Sequence, residues 1–70
     1  MTARTFTAVV HREKDLYVAE CPEVGSVSHG HTQEEAVANL KEATELYLEE
    51  FGPTDFSRPF VTTFDVAVSG

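Results

Sequence analysis

Two histidines beside a predicted helix start are the first candidates for a metal site. His29 and His31 are two residues apart in the stretch SVSHGHTQEE, so on a continuous strand they would share one face, a spacing that some zinc sites use. A catalytic zinc needs a third protein ligand, and the sequence places none near them. Gly30 between them indicates a bend, which would break the shared face. We therefore expect no metal or cofactor here, and we interpret the stretch as a joint between a strand and a helix.

Cys21 is the second candidate for chemistry, because a thiolate paired with a histidine is a common nucleophile. It is the single cysteine of the chain and stands at a predicted strand end ahead of Pro22. No base or oxyanion hole can be identified for it. A small, half-buried hydrophobic side chain explains this cysteine better than a catalytic one.

Three short stretches with the composition of strands precede the histidines. Phe6, Ala8 and Val10 alternate with their neighbours, residues 16–21 are β-prone up to Pro22, and residues 26–29 form a shorter third stretch. Residues 12–15 and 22–25 have the composition of turns. The pattern predicts three antiparallel strands.

A helix follows, with clear signals at both ends. Thr32 and Glu35 have the spacing of a capping box, in which the Thr32 hydroxyl accepts from the Glu35 amide and the Glu35 carboxylate reaches back to the Thr32 amide. Gly52 and Pro53 end the helix. Leu46 lies outside the stripe that should cover the sheet. At about 100° per residue, that stripe contains Ala36, Val37, Leu40, Ala43, Thr44, Tyr47, Leu48 and Phe51.

Residues 60–68 alternate again, with Phe60, Phe64, Val66 and Val68 on one face. The predicted order is therefore β-β-β-α-β, an α+β fold with one helix covering an antiparallel sheet. A chain of 70 residues buries only about 60% of its unfolded surface and has no disulfide to supplement its core. We therefore expect a homo-oligomer, a dimer or tetramer, with the last strand or the second sheet face as the contact.

Charge and hydropathy narrow the choice of partners. Twelve acidic residues against five basic ones give a formal net charge of −7, which opposes direct binding to the nucleic-acid backbone and favours a basic partner. No apolar run approaches the roughly 20 residues that a membrane span requires, and the first residues do not have the pattern of a signal peptide. We expect a cytoplasmic protein.

The order and spacing of several motifs resemble the HicB-type antitoxins over roughly residues 6–50. The resemblance is carried by Ala19-Glu20-Cys21-Pro22-Glu23-Val24, by Gly30-His31-Thr32, and by Glu34-Glu35-Ala36 with Asn39, Glu42-Ala43 and Leu46-Tyr47-Leu48. It implies a single HicB-like domain over residues 1–70, with a truncated ribonuclease-H-like fold. It also implies a HicA-type toxin partner that cleaves messenger RNA. Many members carry a C-terminal DNA-binding segment, which is not found before Gly70. His31 stands where the family often has aspartate.

A ribonuclease-H-like fold raises the possibility of two-metal chemistry, which needs several carboxylates around two ions about 4 Å apart. Glu20 and Asp65 are the only acidic residues expected in the sheet, and two carboxylates do not make such a cluster. The prediction is that the protein is not an enzyme.

The acidic outer side of the helix is the predicted contact with the toxin. It presents Glu42, Glu45 and Glu49 around Leu46, with Lys41 as the single cation of the helix. Two alternatives remain. A run of glutamates can be an ordinary solvated surface, and the protein can be a solitary homo-oligomeric binding or structural module without a toxin.

Overall fold

A three-stranded sheet and one helix make up the regular structure of the described residues. The computed structural model describes residues 4–52 and 59–69. The elements are β1 (Val9–Glu13), β2 (Leu16–Cys21), β3 (Ser26–Gly30) and α1 (Gln33–Phe51). The strands lie side by side in chain order and all pair antiparallel. The predicted α+β class and the order β-β-β-α are confirmed.

The first hairpin begins later in the chain than the alternation indicated. Glu13 pairs with Leu16, so only Lys14 and Asp15 form the turn, and Lys14 adopts the positive φ of 54° that two-residue hairpins require. Residues 4–8 are not part of β1. The reason is that the amide of Thr7 donates to the side-chain carboxylate of Glu23 and not to a neighbouring strand. The distances to the two carboxylate oxygens are 3.0 and 3.1 Å.

The core lies between one face of the sheet and the inner side of α1. Ala19 and Cys21 of β2 pack with Ala36 and Leu40 of α1, and all four are buried. Gly30 brings the helix close to the sheet, because a Cβ built on it would lie 2.6 Å from the amide nitrogen of Ala36. No side chain other than hydrogen fits at this position without displacing the backbone of the helix.

Helix α1 is not centred on the sheet. It packs mainly on β3 and β2 and hardly touches β1. Ala36, Leu40 and Thr44 form its buried line, as predicted. Val37 and Phe51 were predicted to cover the sheet but are exposed. Val37 faces the β1 side, where the helix does not reach the sheet, and Phe51 lies in the last turn, where its ring stacks against Tyr47 with the centroids 4.8 Å apart.

The predicted fourth strand is not formed. Residues 59–69 form neither strand nor helix, and Phe60 and Phe64 are 89% and 83% exposed. The physical reason is that the alternation of apolar and polar side chains favours a strand with two different faces but does not provide a neighbouring strand for its backbone to pair with. A strand is stable only when its backbone groups pair with those of a neighbour, and within the described residues β1, β2 and β3 pair only with one another.

Candidate partner-binding surface

The acidic outer side of α1 forms one continuous surface. Glu42, Glu45, Leu46 and Glu49 are all exposed, and their spacing of three and four residues makes them neighbours on the helix. They lie opposite the buried line of Ala36, Leu40 and Thr44. We call this group of four residues the acidic helix face.

Leu46 is the apolar centre of the acidic helix face. Its side chain is 59% exposed, and Glu42 and Glu49 lie one turn away from it on either side. A single exposed leucine is common on protein surfaces. A leucine surrounded by carboxylates offers a partner both an apolar contact and a charged rim, which is the usual anatomy of a protein interface.

In the part of the chain that the structure describes, no ion pair neutralises the glutamates of the acidic helix face. The three glutamates have no ion-pair partner among residues 4–52 and 59–69. No basic residue occupies the last turn of α1, where a cation would complement the helix dipole. The surface therefore carries an uncompensated negative potential that can attract a basic partner.

The N-terminus of α1 is capped as predicted in one direction but not in the other. Thr32 is the N-cap, and its hydroxyl accepts from the Glu35 amide at 3.0 Å. The Glu35 carboxylate does not return to the Thr32 amide. It accepts instead from the His31 amide at 2.9 Å and lies 3.3 Å from the His31 ring. The predicted return bond of the capping box was therefore wrong, because its donor is the amide of His31, one residue before Thr32.

This arrangement also affects the charge of Glu35. The hydrogen bond from the His31 amide, followed by the contact with its ring, holds the pKa of Glu35 below its ordinary value. Glu35 is therefore ionised at neutral pH and lies in the first turn of α1, where the helix dipole favours a negative charge. Thr32 and Glu35 thus fix the start of the helix that presents the acidic helix face.

The histidine pair does not form a metal site in the described part of the chain. His29 belongs to β3, whereas His31 follows the strand and pairs with Glu35. No group of three or more histidine, cysteine, aspartate or glutamate side chains is placed to hold a metal within residues 4–52 and 59–69. Glu20 is exposed in β2, whereas Asp65 is exposed and does not belong to the sheet in which it was predicted.

Cys21 is buried beneath the helix, deeper than the half-buried position predicted for it. It is 1% exposed, and its thiol donates to Glu23 at 3.3 Å. Reactive thiolates occur in electropositive and partly exposed surroundings, and a buried thiol beside a carboxylate has neither property. Its place in the core cluster explains its residue type.

Glu23 is a structural residue that the sequence analysis did not identify. Burial raises the pKa of its carboxyl, but hydrogen bonds outweigh this effect and the net pKa lies below its ordinary value. The main donors are the hydroxyl and amide of Thr7, with the hydroxyl at 2.8 Å. This contact, 16 residues apart in the chain, holds residues 4–8 against the turn between β2 and β3. No local pattern around Glu23 could have revealed it.

Asn39 is a second residue whose role required the structure. Its side-chain amide donates to the backbone carbonyl of His29 at 2.9 Å and so ties α1 to β3. The residue is part of the motif that resembles the HicB-type antitoxins. The contact gives it a packing role at this position.

Comparisons with known proteins identify no relative. No family model matches the chain, and neither the curated proteins nor the solved structures contain a match. Among the described residues, no helix has the length and apolarity needed to cross a membrane. The likeness to HicB-type antitoxins therefore depends on the sequence motifs alone.

Proposed function

We propose that the protein is an antitoxin that binds a small basic HicA-type toxin and blocks its RNA-binding surface. The observation that supports this proposal is the acidic helix face, where three glutamates without an ion pair among the described residues surround the exposed Leu46. A surface that binds RNA must be basic, so an acidic surface of one helix is complementary to it. In this proposal the protein acts in the cytoplasm, binds no nucleic acid itself and catalyses no reaction.

Charge and the apolar contact have separable roles in the proposed complex. Long-range attraction between opposite charges increases the association rate and is weakened by salt. A desolvated apolar anchor acts mainly on the dissociation rate. We therefore expect Glu42, Glu45 and Glu49 to control mainly the association rate. Leu46 should control mainly the dissociation rate.

The test is a kinetic binding titration with a HicA-type toxin encoded beside this gene, at several salt concentrations. Replacing Glu42, Glu45 and Glu49 by lysine should slow association and remove most of its salt dependence. The matched control replaces the exposed acidic residues Asp15, Glu20 and Asp65 by lysine. Each replacement adds two positive units, so both variants move the formal charge from −7 to −1. An equal effect of the two variants would show that net charge, and not this face, guides association.

Leu46→Ala should leave the association rate nearly unchanged and raise the dissociation rate. The truncation of an interface anchor typically costs more than about 1 kcal/mol, a factor of about five or more in the rate. If binding is tight and none of these substitutions alters it, the interface lies on another surface. Absence of binding to any adjacent toxin would remove the antitoxin proposal.

A second candidate function is favoured by the exposed apolar residues of the segment 59–69. A solitary homo-oligomeric binding or structural module would need such residues for self-association and would need no toxin. A neighbouring reading frame for a basic protein of similar length supports the antitoxin, and its absence supports the solitary module.

A further inference from the structure

The segment 59–69 exposes more apolar surface than a solvated tail normally does. Its alternate positions carry Phe60, Phe64, Val66 and Val68, and Val68 is 91% exposed. The intervening positions are Val61, Thr63, Asp65 and Ala67, and Val61 is 62% exposed. One side of the segment is therefore apolar and the other more polar, which is the pattern of a strand that is covered on one face.

The dimensions of the chain show that it is not packed as tightly as its length allows. The Cα radius of gyration is 14.4 Å and the longest extent is 51 Å, whereas a compact domain of 70 residues has a radius of gyration of about 11 Å. The apolar side of the segment is consequently available for contact with another molecule.

The β1 side of the sheet contains a groove with matching chemistry. Because α1 lies over β2 and β3, a space of about 430 Å³ remains between the helix and residues 4–8, which lead into β1. Most of its lining is apolar. Its apolar lining consists of Phe6, Ala8, Cys21, Val37, Leu40 and Leu48, and Lys41 and Glu45 of α1 also line it, so Glu45 belongs both to the groove and to the acidic helix face.

Of the two edge strands, β1 has fewer contacts with the helix, whereas in β3 the side chain of Asn39 already takes a backbone carbonyl, that of His29. On the β3 side, Gly30 lies against the helix backbone, Ser26 bonds to Thr44 at 2.8 Å, and Asn39 occupies the carbonyl of His29. On the β1 side α1 makes few contacts. An exposed sheet edge is a template for the addition of a further strand.

We propose that residues 60–68 of one copy add as a strand to β1 of a second copy, with Phe60, Phe64, Val66 and Val68 in its groove. A strand next to β1 lies about 4.8 Å from it, and its alternate side chains continue the helix-covered face of the sheet. The exchange is reciprocal, because the second copy offers the same segment and the same groove. A two-fold symmetric dimer results in which both grooves are filled.

The area available is sufficient for a stable dimer. Each copy contributes two phenylalanines, and a buried aromatic side chain covers 150–250 Å², so the four rings provide roughly 600–1,000 Å². The valines and the groove walls add to this area and bring it into the range of about 1,200–2,000 Å² found in stable complexes. This inference goes beyond the antitoxin proposal and does not depend on it.

The first test is sedimentation velocity of the full chain at micromolar concentration. The wild type should sediment as a dimer or a larger assembly, and Phe64→Asp should sediment as a monomer. The matched control is Thr63→Asp, which places the same charge on the opposite side of the same segment and should remain associated. Circular dichroism at 222 nm checks that α1 is retained in each variant. A monomeric wild type, or equal behaviour of the two variants, would overturn the proposal.

The second test distinguishes exchange between copies from folding back within one chain. In a Cys21→Ala background, one chain carries Val37→Cys in the groove and another carries Phe64→Cys. A bismaleimide cross-linker with a flexible spacer tolerates a difference of several ångströms in register. Mixing the two chains should give a cross-linked heterodimer. Cross-linking that occurs only inside a single chain carrying both cysteines, or no cross-linking at all, would contradict the exchange.

Discussion

The two flanks of α1 meet the sheet in different ways. On the β3 flank the contact is close and polar, with Gly30 against Ala36 and hydrogen bonds from Asn39 and between Ser26 and Thr44. On the β1 flank the contact is open and apolar, with Val37 and Leu48 lining a groove. Hydrogen bonds have directions and so fix the position of the helix, whereas an apolar surface can accept any strand of the right shape.

The β3 flank of α1 therefore contributes to stability, whereas the β1 flank leaves a surface open for binding. The β3 flank and the core determine where α1 lies, and through it where the acidic helix face points. The groove on the β1 flank and the acidic helix face are both available for contacts with other chains. Substitutions on the two flanks should therefore have different consequences.

Leu40→Ala should have the largest effect on stability, because Leu40 is 4% exposed and belongs both to the core and to the groove lining. Such truncations cost about 2–5 kcal/mol, a large part of the roughly 4–10 kcal/mol expected for 70 residues. Leu46→Ala is the matched control on the exposed side and should change stability by less than about 0.5 kcal/mol. Urea unfolding of both variants checks this, and equal losses would contradict the assigned burial.

Gly30→Ala should disrupt the β3 flank specifically. The added Cβ would lie 2.6 Å from the Ala36 nitrogen and 2.9 Å from backbone and side-chain atoms of Glu35, so the helix must move away from the sheet. We expect a loss of about 1–3 kcal/mol, the usual cost of overpacking. Ser28→Ala in the same strand is the control. An unchanged urea midpoint for Gly30→Ala would show that α1 does not approach β3 this closely.

Thr32→Ala tests the helix start that both flanks share. Loss of the hydroxyl that accepts from Glu35 should destabilise the fold by about 0.5–2 kcal/mol. Thr32→Ser retains the acceptor and should keep most of the stability. If urea unfolding gives the same midpoint and slope for Thr32→Ala as for the wild type, the cap does not contribute to stability.

Glu23 makes the β1 flank sensitive to acid. Hydrogen bonds from Thr7 and Cys21 hold its pKa below that of the unfolded chain, which is about 4.3. Its contribution is therefore complete above that pH and is lost as the pH falls through the folded value. We expect Glu23→Gln to lose less stability than the wild type on acidification from pH 6 to pH 3. Parallel stability curves of the two proteins would contradict the assigned role.

Local signals were sufficient to predict much of the fold. The β-prone residues of β2, the Thr32 cap and the Gly52 stop all act within a few positions of the chain, and each was correctly placed. Leu46 was correctly predicted to lie off the sheet-facing stripe, because helical periodicity alone determines its direction.

What could not be predicted depends on contacts distant in sequence. The bonds of Glu23 to Thr7 and of Asn39 to His29 join separate elements. The offset of α1 depends on the approach permitted by Gly30, and it explains why Val37 is exposed. Alternation in residues 60–68 predicted a fourth strand that is not formed, because alternation cannot specify which backbone would pair with the segment.

Chemical-shift mapping in the isotopically labelled protein tests where the proposed toxin binds. On titration with a HicA-type toxin, we expect the largest changes on Glu42, Glu45, Leu46 and Glu49. Val37, Leu48 and residues 60–68 should change little, because they belong to the groove and to the segment proposed to fill it. Glu45 also lines the groove, so Glu42, Leu46 and Glu49 distinguish the two surfaces. Large changes in the groove or in residues 60–68, with Glu42, Leu46 and Glu49 unaffected, would show that the toxin does not bind the acidic helix face.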